Sequence, residues 1–331
     1  MKDLRQKNDW KGVPWPLRQR YMANELHVPH PPLMRIVKRI YEVATDCKNT
    51  GVGDAMIIVG GSGSGKSHLI KIIRLQRPVD HSGDISVVPV VSFSIPSSPT
   101  QRSMSSALLA ALEHPKSNRG NATEMFNRAI TQLKAVGTEI IMIDNLHDIP
   151  ERRRAGGVMQ VGNWIRDLID QSGCLIVLLG TPLAKMVTEA NSQLRRRVAK
   201  QLVIDYFDIS TEKNIGVLKR FLRELDARIP LAEDSCFSDS SVVLKLYWAT
   251  LGVADYIFRI IKEATGLAVA TGEEKISLQN LEEAFVLVFQ DSAKGINPFA
   301  LSGPERLLDG PGEPFHNWFD ESNPRMSGRA H

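Results

Sequence analysis

A chain of 331 residues, 43% hydrophobic and 24% charged, can bury a full core and is read as one α/β domain with a smaller companion domain. No run approaches the roughly 18–20 consecutive apolar residues of a membrane span, and the start, Met1 to Lys7, has no apolar signal core, so the expected location is cytoplasmic. Cys47, Cys174 and Cys236 lie far apart and suggest neither a disulfide framework nor a zinc site, and the net charge of +4 matters less than its clusters at Arg152–Arg154 and Arg195–Arg197.

Residues 1–32 are polar and interrupted by Pro14, Pro16, Pro29, Pro31 and Pro32, a pattern that predicts an extended arm carrying Trp10, Trp15 and Tyr21 for docking. An amphipathic helix follows from Leu33 to Ala44, with Leu33, Ile36, Val37, Ile40 and Tyr41 on one face. Gly51 and Gly53 then lead into an apolar strand, Ala55–Val59, and a loop, Gly60-Gly61-Ser62-Gly63-Ser64-Gly65-Lys66-Ser67, that fits G-x-x-x-x-G-K-[ST] at every fixed position. A helical pattern from Leu69 to Ile73 comes directly after, so strand, loop and helix occur in the order that phosphate binding requires.

The glycines of this loop let backbone N–H groups turn inward around phosphates, and the helix adds the positive end of its dipole. Lys66 supplies a point charge for the β- and γ-phosphates, Ser67 is placed to ligate Mg2+, and the cradle runs on to His68. The expected cofactors are therefore ATP and Mg2+.

Apolar runs at Val87–Val91, Ile140–Ile143, Leu175–Leu179 and Leu202–Ile204 alternate with helical segments, which predicts five parallel strands covered on both faces. Helices are expected at 101–113 and 122–136, joined by the polar, basic connection His114 to Gly120. The nucleotide-binding domain then occupies 33–209. From Ser210 the strand signal vanishes and helices are expected near 211–228, 239–249, 252–270 and 277–290, an all-helical domain over 210–292. Residues 293–331 are rich in Gly, Pro and Asn and are expected to form a flexible tail, with Phe299, Phe315, Trp318 and Phe319 as anchors for a partner.

Asp144, after four apolar strand residues, is placed to reach Mg2+ through water; an aspartate there can also simply cap the next helix. The next position, where hydrolytic ATPases with an extra strand between this one and the P-loop strand carry a glutamate, is Asn145. An amide orients a water but takes no proton from it at neutral pH, so slow hydrolysis is expected. Thr181, at the end of the fourth strand, is a candidate γ-phosphate sensor or an ordinary N-cap. Arg196 and Arg197, just before the fifth strand, are either phosphate-seeking guanidiniums offered to a neighbouring subunit or a solvated basic turn.

Taken together, the P-loop, Ile143-Asp144-Asn145-Leu146-His147, Leu179-Gly180-Thr181-Pro182, Gln193-Leu194-Arg195-Arg196-Arg197 and the trailing helices resemble the AAA+ transposition ATPases of the TniB/TnsC family. Tyr21 with its following helix and Asn297-Pro298-Phe299 extend the resemblance to about residues 20–300. It implies a three-layer AAA+ domain, sheet order 5-1-4-3-2, with a C-terminal helical lid. It also implies an ATP-dependent regulator that assembles on double-stranded DNA as a ring or helical filament and links a TniQ-like target selector to the transposase. Two departures stand out: Asn145 replaces the glutamate, and the lid near Gly252–Asp255 has no arginine at the usual sensor position, leaving only Arg259.

DNA contacts are expected from Lys and Arg to phosphates, first Lys116 and Arg119 and then Arg152, Arg153 and Arg154, each of which can equally be a solvated surface charge. Two other readings share the P-loop. A helicase loader or replication initiator has the same architecture and differs in its partners. A small-molecule kinase needs neither the arginine-rich turn nor a long helical domain.

Overall fold

Strand β1 (Asp54–Val59) has no polar residue after Asp54, and β3 (Ile140–Asp144) and β4 (Leu175–Gly180) are as apolar, which is the composition of strands covered on both faces. With β2 (Val90–Ser94) and β5 (Lys200–Val203) they make a parallel sheet in the order β2-β3-β4-β1-β5. The computed structural model describes residues 7–148, 155–198, 200–293 and 295–318. They divide into a unit over Pro32–Ile204 and a second unit that joins the chain before Pro32 to the chain from Asp205 onward.

In the first unit, alternate strand residues feed two separate cores. Ala55, Ile57, Val59, Ile141, Ile143, Ile176 and Leu178 pack with α4 (Gln101–Ala111), α5 (Ala122–Ala135) and α6 (Ala155–Ser172). Met56, Ile58, Ile140, Met142, Leu175, Val177 and Leu179 pack with α2 (Pro31–Thr50) and α3 (Lys66–Gln76). The result is the expected three layers, with the strand ends Val59, Asp144 and Gly180 at one edge of the sheet: Val59 pairs with Gly180, and Asp144 with Ser94. The run Val87–Val91 becomes a strand only from Val90, because Pro89 has no N–H to give a ladder; Val87 instead forms an isolated antiparallel bridge with Asp80.

The second unit is built on α1 (Trp15–Asn24), α9 (Glu212–Asp226), α10 (Ser240–Thr250), α11 (Ala254–Thr271) and α12 (Leu278–Phe289). The apolar pair α10 and α11 is bent by 113° where Leu251 and Gly252 adopt positive φ, and no single helix among the described residues is long and apolar enough to cross a membrane. Gly252 is required there, since a Cβ would lie 2.1 Å from the Phe207 carbonyl oxygen.

Two expectations are corrected in this unit. The N-terminal segment is helical over α1, because Pro16 falls in the first turn, where its missing N–H costs nothing. Its Arg18, 2% exposed, donates to the carbonyls of Trp10, Val13 and Pro230 and to both carboxylate oxygens of Glu274. The expected free tail is also folded over 295–318: Phe299 and Phe315 are buried in the helical core and Trp318 packs against it, so these aromatics fill the unit's own interior. Phe319 lies outside the described residues.

Candidate nucleotide site

The loop between β1 and α3 is shaped by what its glycines permit. Gly63 and Gly65 hold φ of 70° and 108°, and Gly65 is the residue from which α3 starts. A Cβ on Gly60 would fall 2.5 Å from Ser64 Oγ and 2.7 Å from the Ile204 carbonyl oxygen, so only glycine fits. Lys66 Nζ donates to the carbonyl oxygens of Gly60 at 2.7 Å and Gly61 at 2.8 Å, capping the loop from within. Burial lowers its pKa to about 8, against which the Asp144 charge pulls upward. Ser67 is exposed at the start of α3, and His68 is half-buried beside it.

Opposite the loop, Asp144 ends β3 with its Oδ1 accepting the Asn145 N–H at 2.8 Å. Asn145 sits at φ 60°, a left-handed conformation that asparagine tolerates better than glutamate. His147 Nδ1 accepts the Thr181 N–H at 3.3 Å, and Nε2 lies 3.8 Å from Asp148 Oδ1. His147 thereby ties the turn after β3 to the end of β4. Thr181 occupies the N-cap position of a short 3-10 turn, but its side chain makes no capping hydrogen bond. Its Oγ1, and that of Ser64, are buried without a hydrogen-bond partner among the described residues.

This donor set fits a nucleoside triphosphate with Mg2+. Orphaned hydroxyls and a glycine cradle suit phosphate oxygens, and Lys66 has two hydrogen bonds it can exchange for them. No cluster of three or more His, Cys, Asp or Glu occurs among the described residues; Ser67 and Asp144 are the residues that would hold a Mg2+.

The arginines lie on α8 (Ser192–Arg197), after the short α7 (Lys185–Glu189). Asn191 caps α8 by accepting from the N–H groups of Gln193 and Leu194, and its amide is held by Asn163. Arg197 pairs with Asp170 at 2.9 Å, whereas Arg196 is exposed and makes no ion pair among the described residues. Arg259 of the helical unit pairs with Asp255 of its own helix at 2.8 Å.

Lys116 and Arg119 are exposed on the connection from α4 to α5. Two arginines that the sequence reading passed over brace this loop: Arg128 donates to the carbonyls of Lys116 and Arg119, and Arg102 to those of Asn118 and Gly120. Their spacing of 18 and 9 residues from their targets leaves no local sequence signal. Arg152, Arg153 and Arg154 lie outside the described residues.

Among solved structures, the ORC2 protein of Aeropyrum pernix is similar at a TM-score of 0.58 and 14% identity, covering 80% of this chain and 71% of that one. The ORC1 protein of the same organism, solved in complex with DNA, gives 0.59 and 17%, covering 83% and 70%. Cdc6p of Pyrobaculum aerophilum gives 0.55 and 13%, covering 80% and 69%. A search of the curated proteins returned no match. At these identities the structures establish the AAA+ fold. The sequence profile described as "Bacterial TniB protein" matches residues 18–206, more than half of the chain, and the chain therefore belongs to the TniB family of AAA+ proteins.

Proposed function

We infer that this chain is an ATP-dependent, DNA-binding regulator of transposition that oligomerises on duplex DNA and connects a TniQ-like target selector to the transposase. Membership of the TniB family carries this reading. The pairing of a phosphate cradle with an exposed Arg196 that has no ion pair among the described residues supports the oligomeric part, since each subunit then offers a nucleotide on one surface and a guanidinium on another. Self-association follows nucleotide occupancy on this reading, with Arg196 the stronger trans candidate because Arg197 is held by Asp170.

Bound Mg2+–ATP supplies the charge that the neighbouring arginine recognises. The chain's own residues do the rest. Lys66 and the loop N–H groups would bind phosphate, Asp144 and Ser67 would hold the metal, Thr181 would offer its hydroxyl to a phosphate oxygen, and Asn145 would position water without removing its proton. Turnover is then slow, and occupancy is the signal.

Duplex DNA is held by Lys116 and Arg119 through its phosphates, with Arg102 and Arg128 keeping their loop in shape. The DNA-bound Aeropyrum pernix ORC1 is a fold relative that binds the same polymer, which supports a DNA role but leaves the initiator reading open to test. Electron microscopy of the chain with duplex DNA, with and without ATP or a non-hydrolysable analogue, tests the proposal: ordered rings or filaments form only with both. Pull-down with transposase and with replicative helicase separates it from a helicase loader, and capture of the helicase alone overturns it.

A further inference from the structure

Helix α12 has one buried apolar face and, on another, two exposed apolar residues with a carboxylate between them. The buried face, with Leu281, Ala284 and Phe285, lies in the helical core. A second stripe, Leu278, Glu282 and Val286 at intervals of four, faces away from it, with Leu278 49% and Val286 48% exposed. An ordinary surface helix keeps its apolar residues to a single stripe.

The second stripe forms one wall of a groove of about 770 Å³, and residues 295–304 form the other. That wall is fixed in place. Asn297 Nδ2 donates to the Glu282 carbonyl at 2.8 Å and Asn297 Oδ1 accepts the Phe299 N–H at 3.0 Å. Lys245 Nζ donates to the carbonyls of Pro298 at 2.6 Å and Ala300 at 3.3 Å, and Phe299 is buried beneath. Gly303 packs so closely that a Cβ would meet the Asn297 carbonyl oxygen at 2.1 Å. On the rim of this rigid turn Leu301 is fully exposed. A preformed groove loses little ordering entropy when it binds.

Among the described residues the lining holds two carboxylates, Glu282 and Glu283, and no Lys, Arg or His, the Lys245 ammonium being turned onto the carbonyls of Pro298 and Ala300. A phosphate backbone is repelled there, whereas a peptide with apolar anchors beside a cation meets both the stripe and its charge. We propose that this groove is a docking site for a short segment of a partner protein bearing apolar residues three or four apart and flanked by Lys or Arg. The inference goes beyond the nucleotide and DNA reading, because nothing in the groove belongs to that site.

Selection of a displayed random 12-residue peptide library on the immobilised full chain tests it, followed by fluorescence polarisation of the enriched peptides. Enriched sequences should carry the apolar spacing with at least one Lys or Arg. Leu301→Asp, at a fully exposed position, and Glu282→Lys with Glu283→Lys should each weaken them at least tenfold while thermal melting and ATP affinity stay unchanged. Lys66→Ala should abolish ATP binding and leave peptide binding intact, which separates failure of this proposal from failure of the nucleotide reading. No enrichment, enrichment of neutral or acidic peptides, or equal binding to the variants overturns it. So does peptide binding that appears only when residues 319–331 are deleted, which makes the chain's own end the occupant, or self-association lost in Leu301→Asp, which makes a second copy the occupant.

Discussion

Replacing Asn145 with glutamate introduces a carboxylate able to act as general base, and the structure sets two opposed consequences. Asn145 lies at φ 60°. A glutamate forced into that conformation costs about 1 kcal/mol more than asparagine, because only Gly, Asn and Asp visit it readily. In a unit of this size that is a fall of about 2–4 °C in melting temperature. The gain is larger, since a positioned general base contributes about 10²- to 10⁴-fold, or about 3–5 kcal/mol of barrier. Asn145→Glu should therefore raise steady-state phosphate release at least about tenfold while melting slightly lower. Asn145→Asp, which tolerates the backbone but falls one methylene short, should leave melting unchanged and gain less. The assay is phosphate release with and without duplex DNA, run beside thermal melting. Brisk turnover by the unaltered chain, at a rate the substitution does not change, refutes the reasoning.

Arg196→Ala should abolish nucleotide-dependent assembly in sedimentation, while Arg197→Ala, which loses only the Asp170 pair, should leave most of it; the reverse pattern assigns the trans role to Arg197. ATP affinity measured by calorimetry should be highest below pH 8 and fall up to about tenfold per pH unit above it, because Lys66, at about 8 when free, must take up a proton to meet the phosphates. Lys116→Gln and Arg119→Gln should each reduce the slope of log affinity for duplex DNA against log salt by about 0.9, whereas Arg128→Lys should lower affinity without changing that slope. Arg18→Ala should destabilise the helical unit by about 3–5 kcal/mol in denaturant titration, since it strands buried carbonyls and a carboxylate. The Arg18 hydrogen bonds hold the Glu274 pKa below its ordinary 4.5, so their stabilisation is present above that pH and is lost as acidification proceeds through the folded value.

The sheet was legible because β1, β3 and β4 are short apolar runs whose polar residues fall at their ends, whereas β2, with Ser92 inside it, and β5, which opens on Lys200 and Gln201, begin away from the expected runs Val87–Val91 and Leu202–Ile204. The N-terminal segment was misread because proline signals a break in chain direction without saying which side of it is helical, and Pro16 opens a helix. The tail was misread because Gly and Pro composition reports flexibility only when no core is near. Gly303 and Pro298 serve a tight turn that places Phe299 inside the helical unit. The bracing of the basic loop by Arg102 and Arg128 could not be read at all, because an arginine that binds a backbone carbonyl leaves no partner residue in the sequence.

What joins the nucleotide residues is their position at one sheet edge. Gly60 follows β1, Asp144 ends β3 and Thr181 follows β4, with Gly60 N–H bonded to the Gly180 carbonyl at 3.0 Å and the Leu146 N–H to the Leu179 carbonyl at 2.9 Å. These links, with the hydrogen bond from the Thr181 N–H to His147 Nδ1, tie the glycine loop, the end of β3 and the end of β4 together. Asparagine at position 145 suits the left-handed turn of that frame. On the proposed reading binding and turnover are thus separable in this chain: the frame keeps its grip on the triphosphate while the chemistry that ends the bound state is slowed. The lifetime of an assembly is then governed by how long Lys66 and its loop retain the nucleotide, and tightening that grip should prolong the assembled state even when the hydrolytic rate is unchanged.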